Sequence, residues 1–304
     1  MNNRTIMMLG TAAVGLFGTG ALALPQFVDW SPPINLASLP GSSGAISTPA
    51  VDGCVSWARD GLSLYFTSNR PRANGASDFD IYVATRPSRD VGFGAVTRLP
   101  APINRDGSDE FCPTVATGNR LYFSSTKVDP LGDIYVTQRR PGGWTEPEHL
   151  GPNINGPGID ETPTFYEDDE GRTVMIYSRR PTTVASGFIL MSIDGGPAVL
   201  LPGAVNVAGA NNRPTVTRDG KTLYFDTTRF TAPNNVDLAV ATRTSLSQPF
   251  DNVVHLSALS GPGFDARPAL SFDGRTLAFS SVRAGNPSPA PDIWITSRDK
   301  AHGN

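Results

Sequence analysis

Short runs of apolar and aromatic residues recur along the chain with nearly the same local pattern. One kind of run follows a two-residue Gly-, Asp- or Asn-containing turn such as Asp60-Gly61, and it occupies positions 64–68, 121–125, 174–178, 223–227 and 277–281. A second run follows each of them, at 80–83, 133–136, 189–191, 237–240 and 292–295. Runs this short, rich in β-branched and aromatic residues and bounded by turn residues, predict β-strands. The turns predict hairpins that join each first run to a preceding strand.

A further strand is marked by an aromatic ring six residues before a leucine. This spacing occurs at 93–99, 144–150 and 250–256, and again near the N-terminus between Trp30 and Leu36. We call the four strands of one repeat a, b, c and d. The last repeat ends at Arg298 without a strand d, so the N-terminal copy is left to complete it. The sequence therefore predicts an all-β fold, a five-bladed β-propeller whose N-terminal strand completes the last blade and hides the open sheet edges.

The repeat also resembles a known family. The phrase from Pro268 to Arg283, with its Ser-x-Asp-Gly-x-x-Leu core, is followed by Asp292-Ile-Trp-Ile. It is similar to the TolB-type, WD-repeat-like β-propeller repeat, and the resemblance extends over about 27–298. It implies the propeller fold. It implies little about activity, because such propellers serve as interaction platforms, lid domains and enzymes.

The first residues have the features of an export signal. Arg4 precedes an apolar stretch from 6 to 22, which ends in Ala21-Leu22-Ala23. We expect residues 1–23 to be a signal peptide, 24–299 one propeller domain and 300–304 a C-terminal tail. The alternative is an uncleaved membrane anchor, since the stretch is nearly long enough to span a bilayer. Cleavage would give a periplasmic or secreted protein with no stable membrane insertion, which we expect to be a monomer.

Candidate ligand-binding residues lie just before and within each strand a. Three residues before the proline of that strand, or its equivalent, the five repeats carry Asp52, Glu110, Asp160, Asn211 and Asp265. One residue before it they carry Cys54, Cys112, Thr162, Arg213 and Arg267. In a propeller both sets would surround the central channel. The first set could bind a cation, a sugar or a cationic peptide end, and its oxygen atoms suit Ca²⁺. Alternatively, each acid caps backbone N–H groups in its own loop.

Two other repeated features predict structure. Cys54 and Cys112 occupy the same repeat position on adjacent blades, which predicts a disulfide between those blades, with two free buried thiols as the alternative. Bases after strand b (Arg70, Lys127, Arg229, Arg283) and acids opening strand c (Asp80, Asp133, Asp237, Asp292) recur in four repeats. Because a catalytic constellation is normally unique, these predict ion pairs of the scaffold.

The remaining signals narrow the function without fixing it. The formal net charge is −3, which argues against a nucleic-acid partner, and neither a G-x-S-x-G elbow nor a phosphate-binding loop occurs. We expect an exported module that binds a protein, peptide or glycan on the face of the d–a and b–c loops, with no cofactor required. The alternative is a glycoside hydrolase-like enzyme with carboxylates from Glu110, Asp160 and Glu161. A lyase or lactonase using Ca²⁺ at the same place is a further possibility.

Overall fold

The computed structural model describes residues 29–181, 187–231 and 235–300. The signal peptide predicted for 1–23 and most of the predicted tail lie outside these residues. The strands form five antiparallel sheets, and the central channel is lined by the first strand of each. Blade 1 contains β2 (Asp52–Trp57), β3 (Ser63–Ser68), β4 (Asp80–Thr85) and β5 (Ala95–Arg98). Blade 2 contains β6 (Glu110–Ala116), β7 (Arg120–Ser125), β8 (Asp133–Arg140), β9 (Gly143–Trp144) and β10 (Glu148–His149).

The remaining blades have the same order. Blade 3 contains β11 (Ile159–Glu167), β12 (Thr173–Arg180), β13 (Phe188–Ile193) and β14 (Val199–Leu200). Blade 4 contains β15 (Asn211–Val216), β16 (Thr222–Thr227), β17 (Asp237–Thr242) and β18 (Asn252–His255). Blade 5 contains β19 (Asp265–Leu270), β20 (Thr276–Ser281), β21 (Asp292–Ser297) and β1 (Ile34–Asn35). Short 3-10 helices cover Leu36–Ser38, Gly44–Ile46 and Val205–Val207. The predicted five-bladed β-propeller is confirmed.

The N-terminal segment closes the ring as predicted. Strand β1 pairs antiparallel with β21, with Ile34 opposite Ile295. The pairing begins earlier, because the backbone N–H of Ser31 donates to the carbonyl of Ser297 at 2.8 Å. Leu36, directly after β1, is buried between blades 5 and 1. This closure leaves the two ends of the repeat array paired with each other, so neither presents an open sheet edge there.

Five apolar clusters fill the spaces between neighbouring blades. Side chains along strand b alternate between two faces, as the two-residue period of a β-strand requires. Leu64 and Phe66 therefore pack in the cluster shared with blade 5, while Tyr65 packs against Leu121 of blade 2. Each blade buries both faces against its neighbours, so no blade has a complete core alone.

Blade 3 departs from the repeat by one residue. Met175 pairs with Phe165 as Leu64 pairs with Trp57, and Met175 packs with Tyr177 in the cluster between blades 2 and 3. The alignment of 174–178 with 64–68 is therefore wrong by one position. The sequence could not show this because Val174, Met175, Ile176 and Tyr177 are all apolar or aromatic and all buried.

Candidate functional site

The first residue set predicted from the repeat is buried and bound within its own blade. Asp52, Glu110, Asp160, Asn211 and Asp265 are each 0 to 1% exposed. Asp52 accepts from the N–H of Thr48 at 2.7 Å and from Arg70 at 2.7 Å. Asp265 has the same arrangement, with the N–H of Gly261 at 2.6 Å and Arg283 at 2.6 Å. This is the capping role weighed as the alternative to ligand binding.

Glu110 and Asp160, two of the three candidate catalytic acids, are also bound within their own blades, but by different donors. Glu110 has no arginine partner and accepts from Ser108, Ser125 and the N–H of Arg105. Asp160 accepts from Arg179 Nε and the N–H of Gly156, both at 2.8 Å. Burial raises the pKa of Glu110, and it raises the pKa of Asp160 to about 6 even though the hydrogen bonds to Asp160 act in the opposite direction. Each carboxylate is therefore held by the loop before it together with strand b of its own blade.

Two of the four repeated bases form ion pairs of the scaffold, but with partners other than those predicted, whereas Lys127 lies 3.5 Å from Glu146 and Arg229 donates to backbone carbonyls. Arg70 pairs with Asp52 of strand a, and Arg283 with Asp265. The strand c acids are bound from elsewhere: Asp80, for example, takes Arg98 of strand d at 2.7 Å. The predicted pairing across the b–c loop is wrong for Arg70 and Arg283, because each reaches the acid of strand a on its inner side.

The second residue set lies on a bulge in each inner strand. Cys54, Cys112, Thr162, Arg213 and Arg267 have φ between +47° and +58°, and the strand register shifts at each of them. We call these five residues the bulge layer. A bulge re-aims a side chain and twists the strand, and here it turns the residue towards its neighbours across the channel. The predicted disulfide between Cys54 and Cys112 is confirmed, with Cα atoms 4.9 Å apart.

Strand b of the preceding blade holds the bulge layer in place. The N–H of Cys112 donates to Thr67, that of Arg213 to Ser178 and that of Cys54 to Ser280. At the junction of blades 4 and 5, the acceptor is a carboxylate, Asp226, which takes the N–H of Arg267 at 2.9 Å. A short polar side chain at this point is therefore enough to join two blades.

Charged side chains meet in the channel beside the bulge layer. We call Glu161, Arg180, Arg213, Asp226 and Arg267 the channel cluster. Glu161 accepts from Arg180 Nε at 2.6 Å and lies 3.2 Å from Arg213 Nε, while Arg213 Nη1 lies 3.2 Å from Asp226. Although burial opposes it, the combined charge of Arg213, Arg180 and Arg267 lowers the pKa of Glu161 to about 2. The three arginines thus favour the ionised form of Glu161.

A large cavity opens on the opposite face from the one predicted. It has a volume of about 720 Å³ and is surrounded by the second halves of the inner strands and by the a–b turns. We call it the turn-face funnel. Its charged lining consists of Arg59, Arg120, Arg218, Arg298, Asp219 and Asp273. Arg59 and Arg218 each precede an Asp-Gly turn at the same repeat position, but the sequence analysis missed them because it considered the long d–a and b–c loops and not the tight a–b turns.

Residues 29–181, 187–231 and 235–300 contain neither a candidate metal site nor a candidate membrane-spanning helix. No group of three or more His, Cys, Asp and Glu side chains could hold a metal ion there. Over the same ranges, no helix is both long and apolar enough to cross a bilayer. Calcium at the channel mouth stays a prediction.

No protein-family model and no curated protein matches the chain. Among solved structures, a thermostable family-43 glycoside hydrolase is 14% identical, with 85% of this chain and 92% of that chain covered and a TM-score of 0.53. The native arabinanase of Bacillus subtilis is 15% identical, with 83% and 95% covered and a TM-score of 0.52. TolB from Acinetobacter baumannii is 14% identical, with 81% and 53% covered and a TM-score of 0.48. Similarities at such identities show the fold alone.

Proposed function

We propose that the chain is an exported binding module that holds an acidic peptide segment of a partner protein in the turn-face funnel. The observation that carries the proposal is the charge of the funnel lining, in which four arginines face two aspartates. One of those aspartates, Asp273, already pairs with Arg89 at 2.9 Å. A cavity of this size with a few convergent charged groups is typical of a binding site.

Three of these arginines are available to a ligand. Arg59, Arg120 and Arg218 are exposed, and none of them makes an ion pair within the part of the chain that the structure describes. A guanidinium group presents a planar set of donors that matches the carboxylate geometry. Carboxylates of Asp and Glu side chains are therefore the natural ligands of this surface.

An aromatic ring keeps two of the three guanidinium groups together. Phe272 lies between Arg59 and Arg218, whose Cζ atoms are 4.4 and 4.3 Å from the ring centroid. Cation–π contacts of this kind hold the side chains in place while the outer edge of each guanidinium group remains free to donate. Three blades, 1, 4 and 5, thus contribute to one cationic platform.

The disulfide supports the export part of the proposal. Disulfides form and persist in oxidising compartments, and Cys54–Cys112 is one that joins two blades. We accordingly expect the protein to work in the periplasm or outside the cell. Mass mapping of the N-terminus of the exported protein tests cleavage after Ala23.

The binding proposal is tested by fluorescence anisotropy with labelled peptides. Wild-type protein should bind a Glu- and Asp-rich peptide, bind a Lys-rich one far more weakly, and lose affinity as salt increases. The double variant R59Q/R218Q should bind the acidic peptide at least about tenfold more weakly, because two charge-assisted contacts are lost. R140Q is the matched control, since Arg140 is exposed and lies outside the funnel. Equal binding by the wild type and the double variant would contradict the proposal, as would a preference for uncharged glycans.

A second candidate is a glycoside hydrolase-like activity at the loop face, favoured by the pKa of about 6 at Asp160. A carboxyl group with such a pKa could donate a proton to a leaving group. Its contact with Arg179 counts against this role, because the carboxylate is held in the ionised form that the arginine prefers. Hydrolysis of arabinan or a glycan panel by the wild type, abolished in D160N, would establish this activity. No hydrolysis by the wild type across the panel would dismiss it.

A further inference from the structure

The channel cluster contains more positive than negative charge. Its members are three guanidinium groups (Arg180, Arg213, Arg267) and two carboxylates, Glu161 and Asp226. Both carboxylates already form ion pairs: Glu161 pairs with Arg180 and Arg213, and Asp226 pairs with Arg213. Nearby acids on the inner strands, such as Asp52 and Asp265, are bound by arginines of their own blades. One positive charge in the channel is therefore left over.

The excess charge belongs to Arg267. Its backbone N–H is bound by Asp226, but its guanidinium group makes no hydrogen bond or ion pair to any described residue. Nε of Arg267 is buried without an acceptor, and the ring of Phe264 lies 5.4 Å from Cζ. A buried donor without a partner costs about 1–3 kcal/mol, so this arrangement calls for an acceptor that is not part of the chain.

The scaffold does not require an arginine at this position. The equivalent residues of blades 1, 2 and 3 are Cys54, Cys112 and Thr162, and the same bulge forms with each of them. An arginine with a positive φ gains nothing from the backbone conformation, since non-glycine residues adopt it rarely. Arg267 is thus better explained by a group that it contacts than by the fold.

The guanidinium group faces the loop side of the channel. Phe264 directly precedes β19 in the d–a loop, and Arg267, Arg180 and Glu161 do not line the turn-face funnel. Gly53 of the neighbouring blade 1 lies beside this group. Gly53 has no side chain, and a Cβ atom added to it would still lie 3.7 Å from Arg267 Nη1. The side chain of Arg267 is partly exposed although its Nε is not, so a small molecule can reach the terminal nitrogens.

We propose that a single carboxylate group binds in the channel against the guanidinium group of Arg267, entering from the loop face. A monoanion balances the one excess charge, whereas sulfate or phosphate would reverse its sign. The planar carboxylate also matches the two parallel N–H donors of a guanidinium group, which the spherical chloride ion does not. The site is separate from the turn-face funnel, so either proposal can fail while the other holds.

Thermal unfolding with acetate as the ligand tests the site. At constant ionic strength, acetate should raise the Tm of the wild type in a saturable way, because a ligand bound only by the folded state stabilises it. Chloride and sulfate should have smaller effects. R267M should lose the response, R267K should keep a weakened one, and R140Q should respond like the wild type. R59Q/R218Q should also keep the response, which distinguishes this site from the funnel.

Direct binding by calorimetry covers the case in which R267M fails to fold, since R267K keeps the charge. Saturable heat of acetate binding to the wild type, reduced at least tenfold in affinity by R267K, supports the site. The proposal is overturned if acetate neither binds nor stabilises the wild type, if R267M keeps the full response, or if chloride stabilises as much as acetate.

Discussion

Reduction of the disulfide should lower the stability of the whole propeller by a magnitude that follows from its place in the chain. Cys54 and Cys112 are separated by 58 residues, and a cross-link over a loop of that length restricts the unfolded chain by about 4 kcal/mol. For a domain of this size, 1 kcal/mol corresponds to about 2 °C in Tm. We therefore expect a reductant, or the variant C54A/C112A, to lower the Tm by about 8 °C.

The cross-link can be removed without removing the bulges. The N–H groups of Cys54 and Cys112 donate to Ser280 and Thr67 independently of the sulfur atoms, so these contacts remain in the variant. T162A is the control at the equivalent position of blade 3. It loses only a contact of 3.4 Å between the hydroxyl groups of Thr162 and Ser178, and its Tm should fall by no more than about 2 °C.

The assay is thermal unfolding followed by circular dichroism, with and without a phosphine reductant. The wild type should respond to the reductant and C54A/C112A should not. If the wild type loses less than about 2 °C on full reduction, the loop-closure reasoning fails. If C54A/C112A still responds, the effect does not arise from this bond.

Three further variants test other parts of the structure. D226S should lower the free energy of unfolding, measured by urea denaturation, by about 3 kcal/mol, because it breaks the buried ion pair with Arg213. A loss below about 1 kcal/mol would show that the fold does not need this ion pair. Because the pKa of Glu161 falls from 4.5 to about 2 on folding, its contribution of about 3 kcal/mol is present above pH 4.5 and lost as the pH falls towards 2. E161Q should remove that part of the acid dependence, and an unchanged profile would refute it. G158A should be far more destabilising than G107A. Both glycines have a positive φ, but only at Gly158 would an added Cβ atom lie 2.5 Å from a backbone carbonyl oxygen. Equal losses of unfolding free energy in the two variants would contradict this.

The repeat pattern was sufficient to predict the architecture because every blade must satisfy the same packing. The alternating residues of strand b, the turn before it and the ring-to-leucine spacing of strand d each recur for that reason. The closure by the segment after Trp30 followed from counting strands. The disulfide followed from equal repeat positions, since such positions on adjacent blades are neighbours in space.

The bulge layer could be located in the sequence but its conformation could not. Cysteine, threonine and arginine have no preference for a positive φ, so their residue types do not predict the bulge conformation. In the Asp-Gly turns, by contrast, the glycine itself predicts a positive φ. The partners of the strand a acids were equally hidden. Arg70 lies between Asp52 and Asp80 in the chain, and only the direction of its side chain decides that it binds Asp52.

The polar side chain that strand b offers to the next blade is nearly the same in every blade, and the one exception is not explained by the fold. Four blades offer a hydroxyl on strand b at the junction with the next blade, and only blade 4 offers a carboxylate. A hydroxyl is enough to join two blades, so the negative charge of Asp226 is not needed for that contact. It instead neutralises Arg213, with which Asp226 forms an ion pair. Arg267 has no such match.

Arg213 has a carboxylate partner in the channel and Arg267 has none among the described residues, so their removal should affect stability differently. Removing Arg213 leaves the buried carboxylate of Asp226 without an ion pair and takes away one of the two arginines beside Glu161, so R213M should be destabilising. Removing Arg267 leaves no carboxylate unpaired and relieves repulsion with Arg213, which together with burial lowers the pKa of Arg267 to about 9. In acetate-free buffer, R267M should therefore be at least as stable as the wild type, and saturating acetate should bring the wild type up to it or beyond. A clear loss of stability in R267M without acetate would mean that Arg267 has a structural role after all, and that its charge is balanced within the chain.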